Sequence, residues 1–246
     1  MTTTPLRARW RREQFEPGLL GLLVNPFYFA RHGLIETLRP LFRELTGEVL
    51  DVGCGSKPYR AHIPATQYVG LDVDNALTRS LGAADVFYDG KFFPLPDGRF
   101  DGVLCSQVLE HVFAPEAFLA EIRRVLRPGG SLLLTVPAMW DEHEQPHDYG
   151  RYTSFGLRAL LERAGFEVIV QRKSMADARA VAQLASAWLY KVVVTRNRWV
   201  NLATQLALIA PVNVAGAVLG AVLPGNEDFY LDNVVWAKKR ADGAAR

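Results

Sequence analysis

Cysteine is scarce: two in 246 residues, Cys54 and Cys105. That is too few for a secreted disulfide framework, and both read as reduced cytosolic thiols. Net charge is scarce too. A formal +2 sets up no field that makes nucleic acid the default partner. A third glycine is missing three residues after Gly55, where a dinucleotide fingerprint wants one. Pro58 stands there instead and argues against a helix N-terminus packed on a pyrophosphate, which disfavours a nicotinamide dehydrogenase. No small-x-small cleavage site follows the basic start (Arg7, Arg9, Arg11, Arg12, with Trp10) and the short apolar run at 18–24. Glu13, Glu16 and Pro17 interrupt that pattern as well, so no export signal is expected and the chain is read as cytoplasmic. Charge is absent altogether from residues 199–226.

What is present is an ordinary globular balance, 49% hydrophobic and 22% charged, enough for one large domain with an insertion. The organising stretch is Val49-Leu50-Asp51-Val52-Gly53-Cys54-Gly55-Ser56. It reads as a buried strand, an acid near its end, and a glycine turn that lets backbone N–H groups approach a ligand. In an open α/β sheet the carboxyl end of a strand is where a nucleotide-like ligand sits. A second strand, Tyr68-Val69-Gly70-Leu71-Asp72, ends in an acid placed to accept ribose hydroxyls. Asp51 beside the turn suits a cation better than a phosphate, so an adenosine carrying a positively charged amino acid fits both departures from the dinucleotide pattern.

On these residues Leu50-Asp51-Val52-Gly53-Cys54-Gly55 resembles the first motif of class I S-adenosylmethionine-dependent methyltransferases. Phe100-Asp101-Gly102-Val103-Leu104-Cys105-Ser106 through Glu110-His111 resembles a later one. The resemblance covers roughly 45–173 and 229–238. Pro146-His147-Asp148-Tyr149 with Arg151-Tyr152-Thr153 is similar to a type 11-like subgroup of bacterial small-molecule methyltransferases. It implies a Rossmann-like α/β fold: a seven-stranded, mostly parallel sheet with an antiparallel last strand and helices on both faces. It further implies S-adenosylmethionine as cofactor, held by Asp51, Gly53, Cys54, Gly55 and Asp72, with Asp89 toward the adenine and Cys105 and Ser106 at a strand end.

Along the chain, Asn25-Pro26 opens a helix toward Leu45 that Pro40 breaks or kinks. Strands are expected over 84–88, 100–105, 131–136, 166–170 and 229–238. Helices begin near Pro115, stopped by Pro128-Gly129-Gly130, and near Ser154. Strand and helix are read as alternating throughout. The organisation is an arm and cap helix (1–44), a cofactor-binding core (45–173), an apolar helical insertion (174–228) and a last strand with tail (229–246). The insertion carries one helical stretch over 177–195, and 199–226 is long enough to span a bilayer. A single crossing would strand the final strand on the wrong side, so a helical hairpin is read instead. Its apolar surface is left open between peripheral contact with the inner face of a membrane, a lid over the acceptor, and a homodimer surface.

Methyl transfer to a hydroxyl wants a general base. His111 and His147 are the candidates, with Tyr149 and Tyr152 shaping an acceptor pocket. His143 and His147 stand four apart, but Pro146 between them spoils a helical ligand pair, and no metal is expected. The function implied is methylation, O-methylation favoured, of a small hydrophobic or lipid-linked acceptor. The alternative is a non-catalytic S-adenosylmethionine-binding regulatory or assembly module.

Overall fold

The computed structural model describes residues 13–241; the arginine-rich arm with Trp10 lies outside them. Seven strands form one sheet in the order β3-β2-β1-β4-β5-β7-β6. They are β1 Gly47–Val52, β2 Ala65–Val73, β3 Val86–Tyr88, β4 Phe100–Ser106, β5 Leu126–Pro137, β6 Phe166–Ser174 and β7 Asp232–Lys239. β1 pairs in parallel with β2 and β4, β2 with β3, and β4 with β5. β7 runs against β6: Leu231 N–H donates to the Ser174 carbonyl and Arg240 N–H to that of Gly165, each at 3.0 Å. Rising numbers on one strand therefore meet falling numbers on the other, as expected of the last strand.

The central strands are sealed by sequence. Val49, Leu50, Val103, Leu132 and Leu134 are fully buried, the continuous apolar pattern of parallel strands covered on both faces. Helix α4 (Pro115–Val125) buries Phe118, Leu119, Ile122 and Val125, the i, i+4 stripe of an amphipathic helix. It ends one residue before β5. The sequence expectation that Pro128-Gly129-Gly130 stops this helix is corrected: the break falls at Leu126. The proline and glycines lie in a register shift, where Phe100 faces Leu126 but Gly102 faces Ser131.

Two further expectations change. Strand and helix do not alternate throughout, because only a short 3-10 turn, Arg60–His62, lies between β1 and β2. Pro58 follows the glycine turn so closely that no helix starts there. The opening helix is α2 (Tyr28–Leu38), preceded by a single turn, α1 (Gly21–Val24). At Pro40 the chain tightens into a 3-10 segment, Arg39–Glu44, which is the break anticipated. Helices α3 (Ala76–Leu81) and α5 (Ser154–Arg163) complete the sheet's connections.

The residues group into two compact units. One, comprising 38–138, 142–172 and 233 onward, holds nearly all of the sheet and its core. The other holds the residues up to Thr37, Met139–Asp141 and Lys173–Asp232. Within this second unit the insertion is a helical hairpin, α6 (Ala178–Val193) and α7 (Arg198–Val222). A π-turn, Gln205–Ile209, interrupts α7 just before Pro211, where a proline ring would collide with an α-helical carbonyl four residues back. Polar groups register the arms: Ser186 Oγ donates to Asn213 Oδ1 at 2.8 Å, and Asn213 Nδ2 donates to the Leu22 carbonyl at 2.9 Å. Gly216 allows close approach, since a Cβ there would lie 2.3 Å from that of Ala182.

Candidate active site

The register of β1 and β2 sets the site. Asp51 lies opposite Gly70 and Val52 opposite Leu71, so Asp51 and Asp72 come to the same carboxyl end of neighbouring strands. Between them the chain turns at Gly53 (φ +67°) and Gly55 (φ +49°). Gly53 and Cys54 N–H both donate to the Leu71 carbonyl, at 2.8 and 3.2 Å. A Cβ on Gly55 would meet no atom within 4 Å, so this corner faces open space and its glycine is required by backbone conformation.

Asp72 fastens the turn. Its Oδ2 accepts from Gly55 N–H and its Oδ1 from Val73 N–H, both at 2.9 Å. The Cys54 thiol is a third, weak donor to Oδ2 at 3.9 Å; a carboxylate has roughly four acceptor positions, so two ligand hydroxyls fit if one displaces this thiol contact. Burial raises the Asp72 pKa, the two backbone donors lower it, and Glu144 raises it again. Asp51 is more deeply enclosed, 4% exposed, and accepts from the Tyr68 hydroxyl at 2.7 Å. Burial pushes Asp51 up to about 7 against the pull of Tyr68 and Lys57. A ligand cation arriving beside this carboxyl would favour its ionised form. The Cys54 thiol, pushed up to about 12 by burial and by Asp51 and Asp72, is no nucleophile.

The other expected cofactor residues divide. Asp89, just past β3, is exposed, and its Oδ1 accepts from Lys91 and Phe92 N–H at 2.9 and 3.0 Å, closing its own loop. Cys105 is fully buried and its side chain joins the main core. Ser106 Oγ pairs with Thr135 Oγ1 at 2.9 Å. Gln107, which sequence reasoning missed, follows with φ +57° and donates through Nε2 to the same Thr135 Oγ1 at 3.1 Å. That left-handed conformation is uncommon for a non-glycine residue, and no local sequence signal announces it.

The loop after β5 folds back on the 3-10 turn Leu109–His111. Tyr149 and Gly150 N–H both donate to the Glu110 carbonyl, at 2.8 and 3.1 Å. His111 Nδ1 lies 2.7 Å from the His147 carbonyl, and His147 Nδ1 lies 3.0 Å from the Tyr149 hydroxyl. Three of the four acceptor-side residues named from sequence, His111, His147 and Tyr149, are thus brought together, while Tyr152 packs against the main core. His147 and Tyr149 are exposed, Phe113 packs edge-on against Tyr149, and the His111 ring meets that of His143 at 4.7 Å. The histidine pair that forms is His111–His143, not His143–His147. Fully buried Glu110 was also missed as a site residue, although it precedes His111 directly.

Asp148 organises this loop. Its Oδ1 and Oδ2 accept from Arg151 at 2.6 and 2.7 Å, and Oδ2 also accepts from His143 N–H at 2.9 Å. The Arg151 guanidinium holds the Asp148 carboxyl well below the usual carboxylate range.

Residues 50–134 match a family described as "Methyltransferase domain". A probable S-adenosylmethionine-dependent methyltransferase of Mycolicibacterium smegmatis is 33% identical over 162 residues, covering 60% of this chain and 62% of that protein. A fatty-acid O-methyltransferase from the same organism is 32% identical over 174 residues, covering 63% and 62%. This chain therefore spans less than two thirds of the length of these curated relatives. Among solved structures, the cyclase SpnF superposes with a TM-score of 0.54 at 20% identity, over 91% of this chain and 95% of that one; at that identity the likeness concerns the fold alone.

Proposed function

We propose that this chain, whose residues 50–134 match a methyltransferase domain and which is similar to a probable S-adenosylmethionine-dependent methyltransferase, is a class I S-adenosylmethionine-dependent methyltransferase that methylates a small, hydrophobic or lipid-linked acceptor, at oxygen. The observation that carries the reading is Asp51 and Asp72 flanking an open glycine turn, in the same unit that gathers His111, His147 and Tyr149. When bound, the cofactor supplies an electrophilic methyl group on a sulfonium. Asp72 would take the ribose hydroxyls with its remaining lone pairs, and Asp51 would face the positive charge.

The chemistry asks the protein mainly for placement, which contributes roughly 7–11 kcal/mol in oriented reactions. A base adds about 10²–10⁴-fold for a hydroxyl acceptor. His147, exposed and paired with Tyr149, is the residue we assign to receive that proton. His111 Nδ1 is engaged by a carbonyl, so His111 acts in holding the loop.

The hydrophobic acceptor is argued from the second unit. Helix α7 is 25 residues long and apolar enough to cross a membrane by length and composition. Its buried Asn213 is tied to α1 and α6, and a crossing would break those bonds. Trp188 and Trp199 are about two-thirds exposed, with Lys191, Arg196 and Arg198 close to them in sequence. Tryptophan with basic residues suits an anionic interface, so we place the protein at the cytoplasmic face of a membrane. The relative that acts on fatty acids supports an acyl-type acceptor. The test is transfer of labelled methyl from S-adenosylmethionine to a panel of fatty acids, polyprenyl alcohols and polar controls. Label confined to polar acceptors would reject the acceptor class; no label with any acceptor, despite cofactor binding, would favour the non-catalytic module.

A further inference from the structure

We propose that Glu110, His111 and His143 bind a divalent transition-metal ion, with zinc the best match. One ligand atom from each lies within 4.8 Å of the others. His111 Nε2 stands 3.9 Å from Glu110 Oε1 and 3.9 Å from Glu144 Oε2, too far for hydrogen bonds. An ion bound at about 2.0–2.2 Å to nitrogen and oxygen holds its ligands no more than about 4.3 Å apart. The 3.9 Å gaps already satisfy that limit, and the widest separation closes by about half an ångström.

The orientation of the two rings is the stronger argument. A carbonyl only accepts, so the 2.7 Å contact of His111 Nδ1 with the His147 carbonyl puts the proton on Nδ1. In the neutral ring this leaves the lone pair on Nε2, which has a carboxylate 3.9 Å away on each of Glu110 and Glu144. His143 Nδ1 is 3.4 Å from Asp148 Oδ2, and Asp148 is itself clamped by Arg151. With Nδ1 turned toward that carboxylate, the neutral His143 ring would present its lone pair at Nε2. Metal-bound histidines almost always donate their other ring N–H to a carbonyl or a carboxylate, and this cluster has one of each. Two neutral imidazoles with one or two carboxylates favour zinc over magnesium or calcium, which take all-oxygen shells.

Three protein ligands leave a position for an acceptor oxygen. The consequence for turnover rests on the methyl-transfer reading. A hydroxyl bound to the ion would give up its proton more readily, with His147 still the group placed to receive it. The resulting oxyanion forms the O–C bond while the C–S bond breaks and its electron pair stays on sulfur.

The experiment uses untagged protein stripped with EDTA, titrated calorimetrically with ZnCl₂ and followed in visible absorption with CoCl₂. One zinc equivalent and cobalt d–d bands of a low-coordinate site are expected. Glu110→Gln and His143→Ala should each abolish saturable uptake, and Asp148→Asn should weaken it by about 10–100-fold. S-adenosylhomocysteine binding by each variant, measured alongside, reports that it is folded. No uptake by wild-type protein that binds S-adenosylhomocysteine would overturn the site, as would uptake unchanged in His143→Ala. Failure of S-adenosylhomocysteine to bind wild-type protein would sink the methyltransferase reading instead, while the zinc titration is judged separately by the cobalt spectrum.

Discussion

Replacing Asp72 by alanine should separate what the carboxylate does for the protein from what it does for the cofactor. In the folded chain it accepts from Gly55 and Val73 N–H, and losing a buried acceptor costs about 1–3 kcal/mol. In a chain of this size each kcal/mol moves the melting temperature by about 2–4 °C, so the apo variant should melt a few degrees low and still fold. The ligand effect is larger. Hydrogen bonds to a charged group contribute about 1.5–3 kcal/mol each, and two ribose hydroxyls make that about 3–6 kcal/mol. Calorimetry with S-adenosylhomocysteine should then show a Kd raised by roughly 10²–10⁴-fold, and a concentration just saturating for wild type should no longer raise the variant's melting temperature. A Kd within about threefold of wild type, in a folded variant, would refute the clamp. A variant whose affinity falls only in proportion to its lost stability would show that Asp72 acts through the turn alone.

Three other outcomes follow from the geometry. Asp51 has its folded pKa raised to about 7 from an ordinary 3.8. The native state therefore holds a proton that the unfolded chain has released, and apo stability falls as pH rises from about 4 to 7, by about 4 kcal/mol. Urea unfolding at pH 5 and pH 8 should show about 3 kcal/mol of this loss in wild type and not in Asp51→Asn; the same pH difference in both proteins would disprove the assignment. Asn213→Leu removes a fully buried group that bridges Ser186, Leu22 and Asn25. It should destabilise the insertion by about 2–5 kcal/mol, seen as faster proteolysis of the hairpin, and unchanged cleavage would count against the bridge. Trp188→Ser with Trp199→Ser should cut flotation with anionic vesicles several-fold and leave S-adenosylhomocysteine affinity unchanged, whereas undiminished flotation would remove the membrane assignment.

The cofactor side was legible because strand ends and glycine turns write themselves locally. Val49 to Val52 can only be a buried strand, and Asp51 and Asp72 reach the same sheet edge because parallel strands in register leave no other choice. The antiparallel β7 was legible only through the family pattern. Pro58 was noticed as a departure from one fingerprint, yet its larger consequence, a β1–β2 connection with no α-helix, went unread. Likewise Pro128-Gly129-Gly130 looks like a helix stop from sequence. In the fold it is taken up as extra residues in the β4–β5 ladder, because pairing with β4 outweighs the local turn preference.

The acceptor side was half legible for a different reason. Pattern reading ranks side chains, and this cluster is assembled by main-chain groups that carry no residue identity. His147 was singled out for its imidazole, yet it is its carbonyl that orients His111. Glu110 was passed over as the neighbour of a candidate base, yet its carbonyl receives the N–H groups of Tyr149 and Gly150 and so holds the loop in place. Once those bonds form, the side chains of Glu110, His111 and His143 have little freedom left, and Arg151 fixes the partner of His143 through Asp148. Substitutions at 147 or 149 other than proline keep the main-chain groups that make these bonds, so the scaffold and the chemistry of the loop are separable. Substitution of the His147 imidazole should therefore test catalysis without dismantling the His111–His143 pair.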